Sequence, residues 1–85
     1  MRSVSIFGAT GSIGEQTFDL MRHQGGATAF RTVALTGGRN IARLAEMARE
    51  LRAEVAVTAH DECLPDLREA LAGSGIEAAS GTQAL

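Results

Sequence analysis

The sequence predicts an α/β domain built on a doubly wound parallel sheet, an α/β/α arrangement three layers deep, and three observations predict it. Short apolar runs rich in β-branched residues alternate with amphipathic stretches of helical period throughout the 85 residues, the pattern of parallel strands joined by helices. The first run, Val4-Ser5-Ile6-Phe7, passes directly into Gly8-Ala9-Thr10-Gly11-Ser12-Ile13-Gly14. The order β-α-β-α-β-α-β then breaks off at Leu85, so residues 1–85 read as the truncated N-terminal part of a larger domain.

Val4 to Phe7 suits a covered strand, because branched and aromatic side chains fit a pleated surface and the glycines behind cannot continue one. A helix from about Ser12 to His23 carries Ile13, Thr17, Leu20 and Met21 at helical spacing, with Phe18 on the shoulder of that face. Ser12 and Glu15 form an S-x-x-E capping box, and Glu15 is expected to point along the helix flank, away from any anion at the turn. Gln24-Gly25-Gly26 stops the helix, with His23 in its last turn against the dipole. Phe30 to Thr36 is the second strand, parallel to the first through a right-handed crossover.

The next helix, about Ile41 to Arg52, turns Ile41, Leu44, Ala45, Ala48 and Leu51 inward, and Arg43, Glu46, Arg49 and Glu50 form a solvated outer face. Val55 to Thr58 is a short third strand. Asp61 is expected to cap a third helix in which Pro65 must lie in the first turn and Leu64, Leu67 and Leu71 face in. Gly73-Ser74-Gly75 ends it, Ile76 to Ala79 is a fourth strand, and Thr82 to Leu85 starts another helix. The whole is Rossmann-like.

Composition excludes several function classes. Net charge is −2 with acids and bases interspersed, so no basic face points to nucleic acid or an anionic membrane. No apolar run approaches the roughly 20 residues of a membrane span, and the start has neither a secretory nor a transit layout. A single cysteine, Cys63, forms no internal disulfide and fits a reducing cytoplasm. His60 and Cys63 have no further ligands at zinc spacing, and a helix start accounts for both. No base stands beside a nucleophile and no carboxylate pair is visible, so catalytic residues are not expected within this stretch.

The glycine turn is the binding feature. Gly8 permits the tight exit from the strand, Gly11 lets a backbone approach a ligand, and Gly14 lets the helix lie close on the strand. The turn would present free N–H groups at a helix start, where a diphosphate can sit. Its G-x-x-G-x-x-G spacing departs by one residue from the G-x-G-x-x-G fingerprint, and a plain glycine-rich connection is the alternative. In NAD-binding sheets an acid about 20 residues past the glycines takes the ribose 2′-hydroxyl. Thr36-Gly37-Gly38-Arg39-Asn40 holds no acid, whereas the Arg39 guanidinium suits a 2′-phosphate, which favours NADP. The alternative is an ordinary turn with Asn40 as the N-cap of the next helix.

Ser5-Ile6-Phe7-Gly8-Ala9-Thr10-Gly11-Ser12-Ile13-Gly14-Glu15-Gln16-Thr17-Phe18-Asp19-Leu20 closely resembles the opening of the 1-deoxy-D-xylulose 5-phosphate reductoisomerase family. Val33 to Asn40, the Val55-Ala56-Val57 strand and Ala70 to Glu77 continue the resemblance along the chain. The family usually has Gly-Ser-Thr where Gly8-Ala9-Thr10 stands here, a small-for-small change. The resemblance implies an NADPH- and divalent-metal-dependent (magnesium or manganese) oxidoreductase and isomerase of non-mevalonate isoprenoid biosynthesis, homodimeric and acting on a phosphosugar. It implies that Thr10, Gly11, Ser12 and Ile13 hold the NADPH diphosphate and that Gly37, Gly38, Arg39 and Asn40 wrap the adenosine ribose and its 2′-phosphate. The metal ligands, substrate residues and metal/substrate and C-terminal domains of the family would all follow Leu85, so this stretch alone is expected to be inactive. Two other readings stand beside it: the N-terminus of another Gly-Ala-Thr-Gly reductase, such as a semialdehyde dehydrogenase or extended short-chain reductase, and a stand-alone nucleotide-sensing or interaction module.

Overall fold

A computed structural model describes residues 2–81; the helix expected over 82–85 lies outside them. Four strands, β1 (Arg2–Ile6), β2 (Phe30–Gly37), β3 (Val55–Thr58) and β4 (Glu77–Ser80), form one parallel sheet in the order β1-β2-β3-β4. Between them run α1 (Ser12–His23), α2 (Ile41–Leu51) and α3 (Leu64–Ala70), with 3₁₀ turns at Gly26–Thr28 and Asp61–Cys63. The α/β, Rossmann-like expectation is met, and the strands fall within two or three residues of their expected bounds. β1 ends at Ile6, leaving Phe7 exposed, because Gly8 with φ +68° has already turned the chain out of the sheet.

Successive crossovers of one hand, stepping the same way across a sheet, place their helices on one face. A single core accordingly joins Ile6, Leu35 and Ala56 of the sheet to Phe18 and Met21 of α1, Leu44, Met47, Ala48 and Leu51 of α2, and Leu67 and Leu71 beyond them. The register lines up Ile6, Leu35, Ala56 and Ala78 on this covered face and Ser5, Ala34, Val55 and Glu77 on the other. The described residues are thus the first winding, two layers deep; they do not build the third layer.

The buried face of α1 meets the expected one in part: Met21 is inward as expected, and Phe18 lies at the centre of the face and not on its shoulder. Gly14, Phe18 and Met21 face inward, while Ile13 and Leu20 are 78% and 58% exposed. The cause is steric. A Cβ on residue 14 would lie 2.2 Å from the Gly8 carbonyl oxygen and 2.5 Å from Ala9 Cα, so only the glycine side of the helix can meet the strand end. Positions four and seven residues on, Phe18 and Met21, then share that side, and Ile13 and Leu20 are rotated out. In α2 the expected inward set is buried apart from partly covered Ile41, and Met47 joins it. Arg52 closes α2 in the left-handed region at φ +53°. Pro65 sits in the first turn of α3, the place where its missing N–H costs no helical bond.

Candidate functional site

The site begins where β1 ends. Gly8 N–H donates to Thr36 Oγ1 at 2.8 Å and Ala9 N–H to the Thr36 carbonyl at 2.7 Å, which ties the turn to the end of β2. Gly11 N–H closes the turn on the Gly8 carbonyl at 3.0 Å, and Glu15 N–H makes the first helical bond, to the Gly11 carbonyl at 2.8 Å. Gly11 is therefore the N-cap, and no side chain caps the helix. The expected Ser12–Glu15 capping box does not form, because the helix starts one residue earlier than that box requires and Ser12 is already in it. The N–H groups of Ser12, Ile13 and Gly14 have no intrahelical acceptor. They gather partial positive charge at the C-terminal edge of the sheet, the arrangement that holds an anion.

Glu15 turns along the flank, as expected, and meets α2. Its two carboxylate oxygens accept from Arg43 Nε at 2.8 Å and Nη2 at 2.6 Å. Arg43 also pairs with Glu46 and lies 5.0 Å from the Phe18 ring centroid, so it is half-buried and not part of a solvated face. These bonds hold the Glu15 carboxyl below, and the Arg43 guanidinium above, its ordinary value despite partial burial. The pairing keeps the one first-turn carboxylate of α1 away from the anion site. A depressed folded-state value means that the stabilisation is present above the unfolded carboxylate value and is lost as pH falls through the lowered one. Glu15→Gln is therefore expected to unfold at lower urea than the parent at neutral pH, with the gap closing in acid; equal midpoints at neutral pH would refute the pairing.

The second part of the site follows β2. Asn40 Oδ1 accepts from Arg43 N–H at 3.3 Å, so Asn40 is the N-cap of α2. Arg39 lies before it with its side chain 68% exposed. Gly37 packs so closely on α2 that a Cβ there would come 3.2 Å from Leu44 Cδ2. This loop is clamped to the end of β3: buried Thr58 donates from Oγ1 to the Gly38 carbonyl at 2.9 Å and accepts from His60 N–H at 3.2 Å, and Ala59 N–H donates to the Gly37 carbonyl at 2.8 Å. Thr58→Val removes the hydroxyl and is expected to cost about 1–2 kcal/mol in a denaturant titration, since it leaves buried polar groups unpaired.

A cleft of about 240 Å³ lies between the two loops, lined by Gly8, Thr36, Gly37, Gly38, Val57, Ala59 and Gly81. A larger recess of about 550 Å³ sits between Arg52, Glu54 and Gly75 at the opposite end of the sheet, whereas ligands of open α/β sheets bind outside the carboxyl ends of strands. Of the predicted site residues, Gly8, Gly37 and Gly38 line this cleft, and Thr10 Oγ1 stands 3.4 Å from where a Cβ on Gly37 would lie. Arg39 and Asn40 follow Gly38 in the loop, while Ser12 and Ile13 open α1 outside the lining, Ile13 largely exposed. The structure also adds a third segment that sequence reasoning passed over, residues 58–62. Asp61 is not a helix cap: it accepts from Ser80 Oγ at 2.7 Å, while Cys63 precedes α3 without side-chain capping. Glu62 reaches Arg39, Oε1 to Nη1, at 3.1 Å. Only the strand order could have revealed this, because the sheet register and not sequence distance sets Glu62 beside Arg39.

A parallel sheet whose first strand ends in a glycine turn and an uncapped helix start, with an arginine loop after the second strand, defines a Rossmann-like domain of the dinucleotide-site class. The family model described as 1-deoxy-D-xylulose 5-phosphate reductoisomerase matches residues 4–85, and the chain belongs to that family. It is 79% identical over 85 residues to the reductoisomerase of Cereibacter sphaeroides and 69% identical to that of Paracoccus denitrificans, covering all of this chain and 22% of each relative. Among solved structures, the reductoisomerase of Zymomonas mobilis in complex with NADPH matches with a TM-score of 0.92 and 44% identity over 98% of this chain and 21% of that one. A reductoisomerase in complex with NADPH, fosmidomycin and magnesium matches with a TM-score of 0.88 and 29% identity over 99% of this chain and 20% of that one. The chain thus spans about a fifth of the length of the relatives it matches.

Proposed function

We propose that this chain is the NADPH-binding opening of a 1-deoxy-D-xylulose 5-phosphate reductoisomerase, which converts that substrate to 2-C-methyl-D-erythritol 4-phosphate in isoprenoid biosynthesis. The observation that carries the reading is the uncapped start of α1 against Gly8, where three backbone N–H groups are left without helical partners a few residues beyond a glycine that lines the cleft. In this reading Thr10, Gly11, Ser12 and Ile13 hold the diphosphate, and Gly37, Gly38, Arg39 and Asn40 hold the adenosine ribose and 2′-phosphate. Asn40 keeps its Oδ1 on the α2 cap, which leaves its amide nitrogen for the ribose. The cofactor supplies a hydride when bound. The residues of this chain supply position: the helix start fixes the diphosphate, and Arg39 selects the phosphorylated ribose.

In this reading the magnesium, the phosphosugar and the catalytic groups belong to the remainder of the longer protein, of which the chain spans about a fifth; among the described residues no three His, Cys, Asp or Glu side chains stand together. The uncovered sheet face with Ser5, Ala34 and Val55 supports a second winding that supplies the third layer, since parallel sheets are covered on both faces. The reading also carries a cytoplasmic homodimer that binds neither nucleic acid nor membrane; the net charge of −2 argues against an anionic partner surface, and no described helix is long and apolar enough to cross a membrane. The test is a coupled assay of the full-length protein with 1-deoxy-D-xylulose 5-phosphate and magnesium. Substrate-dependent loss of NADPH absorbance is the expected result, and none would overturn the reading.

A further inference from the structure

An acid does stand at the ribose end of the cleft, although the Thr36–Asn40 stretch contains none. Glu62 comes from the turn after β3, and its Oε1 lies 3.1 Å from Arg39 Nη1. Its place is fixed by the clamp between the two loops, the bonds from Thr58 Oγ1 to the Gly38 carbonyl and from Ala59 N–H to the Gly37 carbonyl. The neighbouring acid is committed elsewhere, Asp61 to Ser80. His60 completes the cluster, with Nδ1 3.6 Å from Glu62 Oε1 and its Nε2 side over Gly38, 4.0 Å from where a Cβ would stand.

We infer that Glu62 is the built-in counter-anion of Arg39, a specificity-determining residue that occupies the guanidinium in the free protein and must yield it when a 2′-phosphorylated nucleotide binds. This rests on the NADPH reading of the cleft. The physical argument is competition. A carboxylate oxygen 3.1 Å from one guanidinium nitrogen draws on the same positive charge that the phosphate needs and repels the incoming phosphate dianion. An unphosphorylated ribose makes no such demand on Arg39 and meets no such repulsion. Glu62 therefore lowers affinity for NADPH more than for NADH and narrows the preference that Arg39 confers. Both side chains are well exposed, so the pair is worth no more than other surface ion pairs, which bounds the effect at a few fold.

The test uses the full-length enzyme with NADPH and NADH as probes, titrated by nucleotide fluorescence for the parent, Glu62→Gln, Arg39→Ala and the double variant. Glu62→Gln is expected to tighten NADPH about two- to fivefold and to raise the ratio of NADH to NADPH dissociation constants by a similar factor. The gain is expected to shrink in high salt, where exposed charges are screened, and to fall away in the Arg39→Ala background. An unchanged ratio in Glu62→Gln, or an equal gain without Arg39, would overturn the inference while leaving NADPH binding intact. Failure of the parent itself to bind NADPH would instead overturn the reading on which it rests.

Discussion

Gly14→Ala is expected to destabilise the protein by about 3 kcal/mol and to weaken NADPH binding at least about tenfold. Helix propensity alone argues the other way, because alanine is favoured over glycine inside a helix by about 1 kcal/mol. Packing decides. The added Cβ would meet the Gly8 carbonyl oxygen at 2.2 Å and Ala9 Cα and O at 2.5 and 2.6 Å. All three are backbone atoms, and the turn that carries them is itself bonded to β2 through Gly8 and Ala9. No side chain can rotate away, so α1 must lift off the strand end; overpacking of this kind costs about 1–3 kcal/mol and more where nothing yields. The lift moves the donors of Ser12 and Ile13, and charge-assisted hydrogen bonds at a phosphate are each worth about 1.5–3 kcal/mol. Urea unfolding and NADPH titration check both halves. A variant more stable than the parent would show that the close contact of helix and strand is absent.

Arg39→Ala is expected to weaken NADPH about thirty- to hundredfold and NADH far less, the loss of a bidentate guanidinium–phosphate contact. Arg39→Lys should recover only part of it, because an ammonium keeps the charge but not the planar fork. The measurement is the ratio of dissociation constants for the two nucleotides in the full-length enzyme. Equal losses for both would assign Arg39 to general charge steering and remove it from ribose selection.

The strands and helices were legible because each carries its own period, and the glycine turn was legible because it sits between a strand and a helix. What sequence could not show was which way α1 rolls. Ile13 and Leu20 share a helical face with Met21 in the sequence, but the forced contact at Gly14 rolls the helix so that Phe18 and Met21 stay inward and those two are turned out. Glu15 was ambiguous for a similar reason: the capping box is local, and Arg43, its actual partner, arrives from another helix. The acid at Arg39 was hidden in the same way, since an acid that pairs with the loop after β2 stands in the turn after β3. Local chemistry reads well from sequence; neighbours supplied by sheet order do not.

The Thr58 hydroxyl has a consequence for how such a protein can be altered. It donates to the backbone of one loop and accepts from the backbone of another, and with the Ala59 N–H bond to Gly37 it joins the two loops mechanically. Nucleotide preference in this scaffold is therefore not a detachable cassette. A transplant of residues 37–40 alone, taken from a sheet that selects the other nucleotide, would inherit the spacing and the charge of a host segment it was never matched to. Redesign, and natural drift between preferences, must move residues 37–40 and 58–62 as one coupled unit.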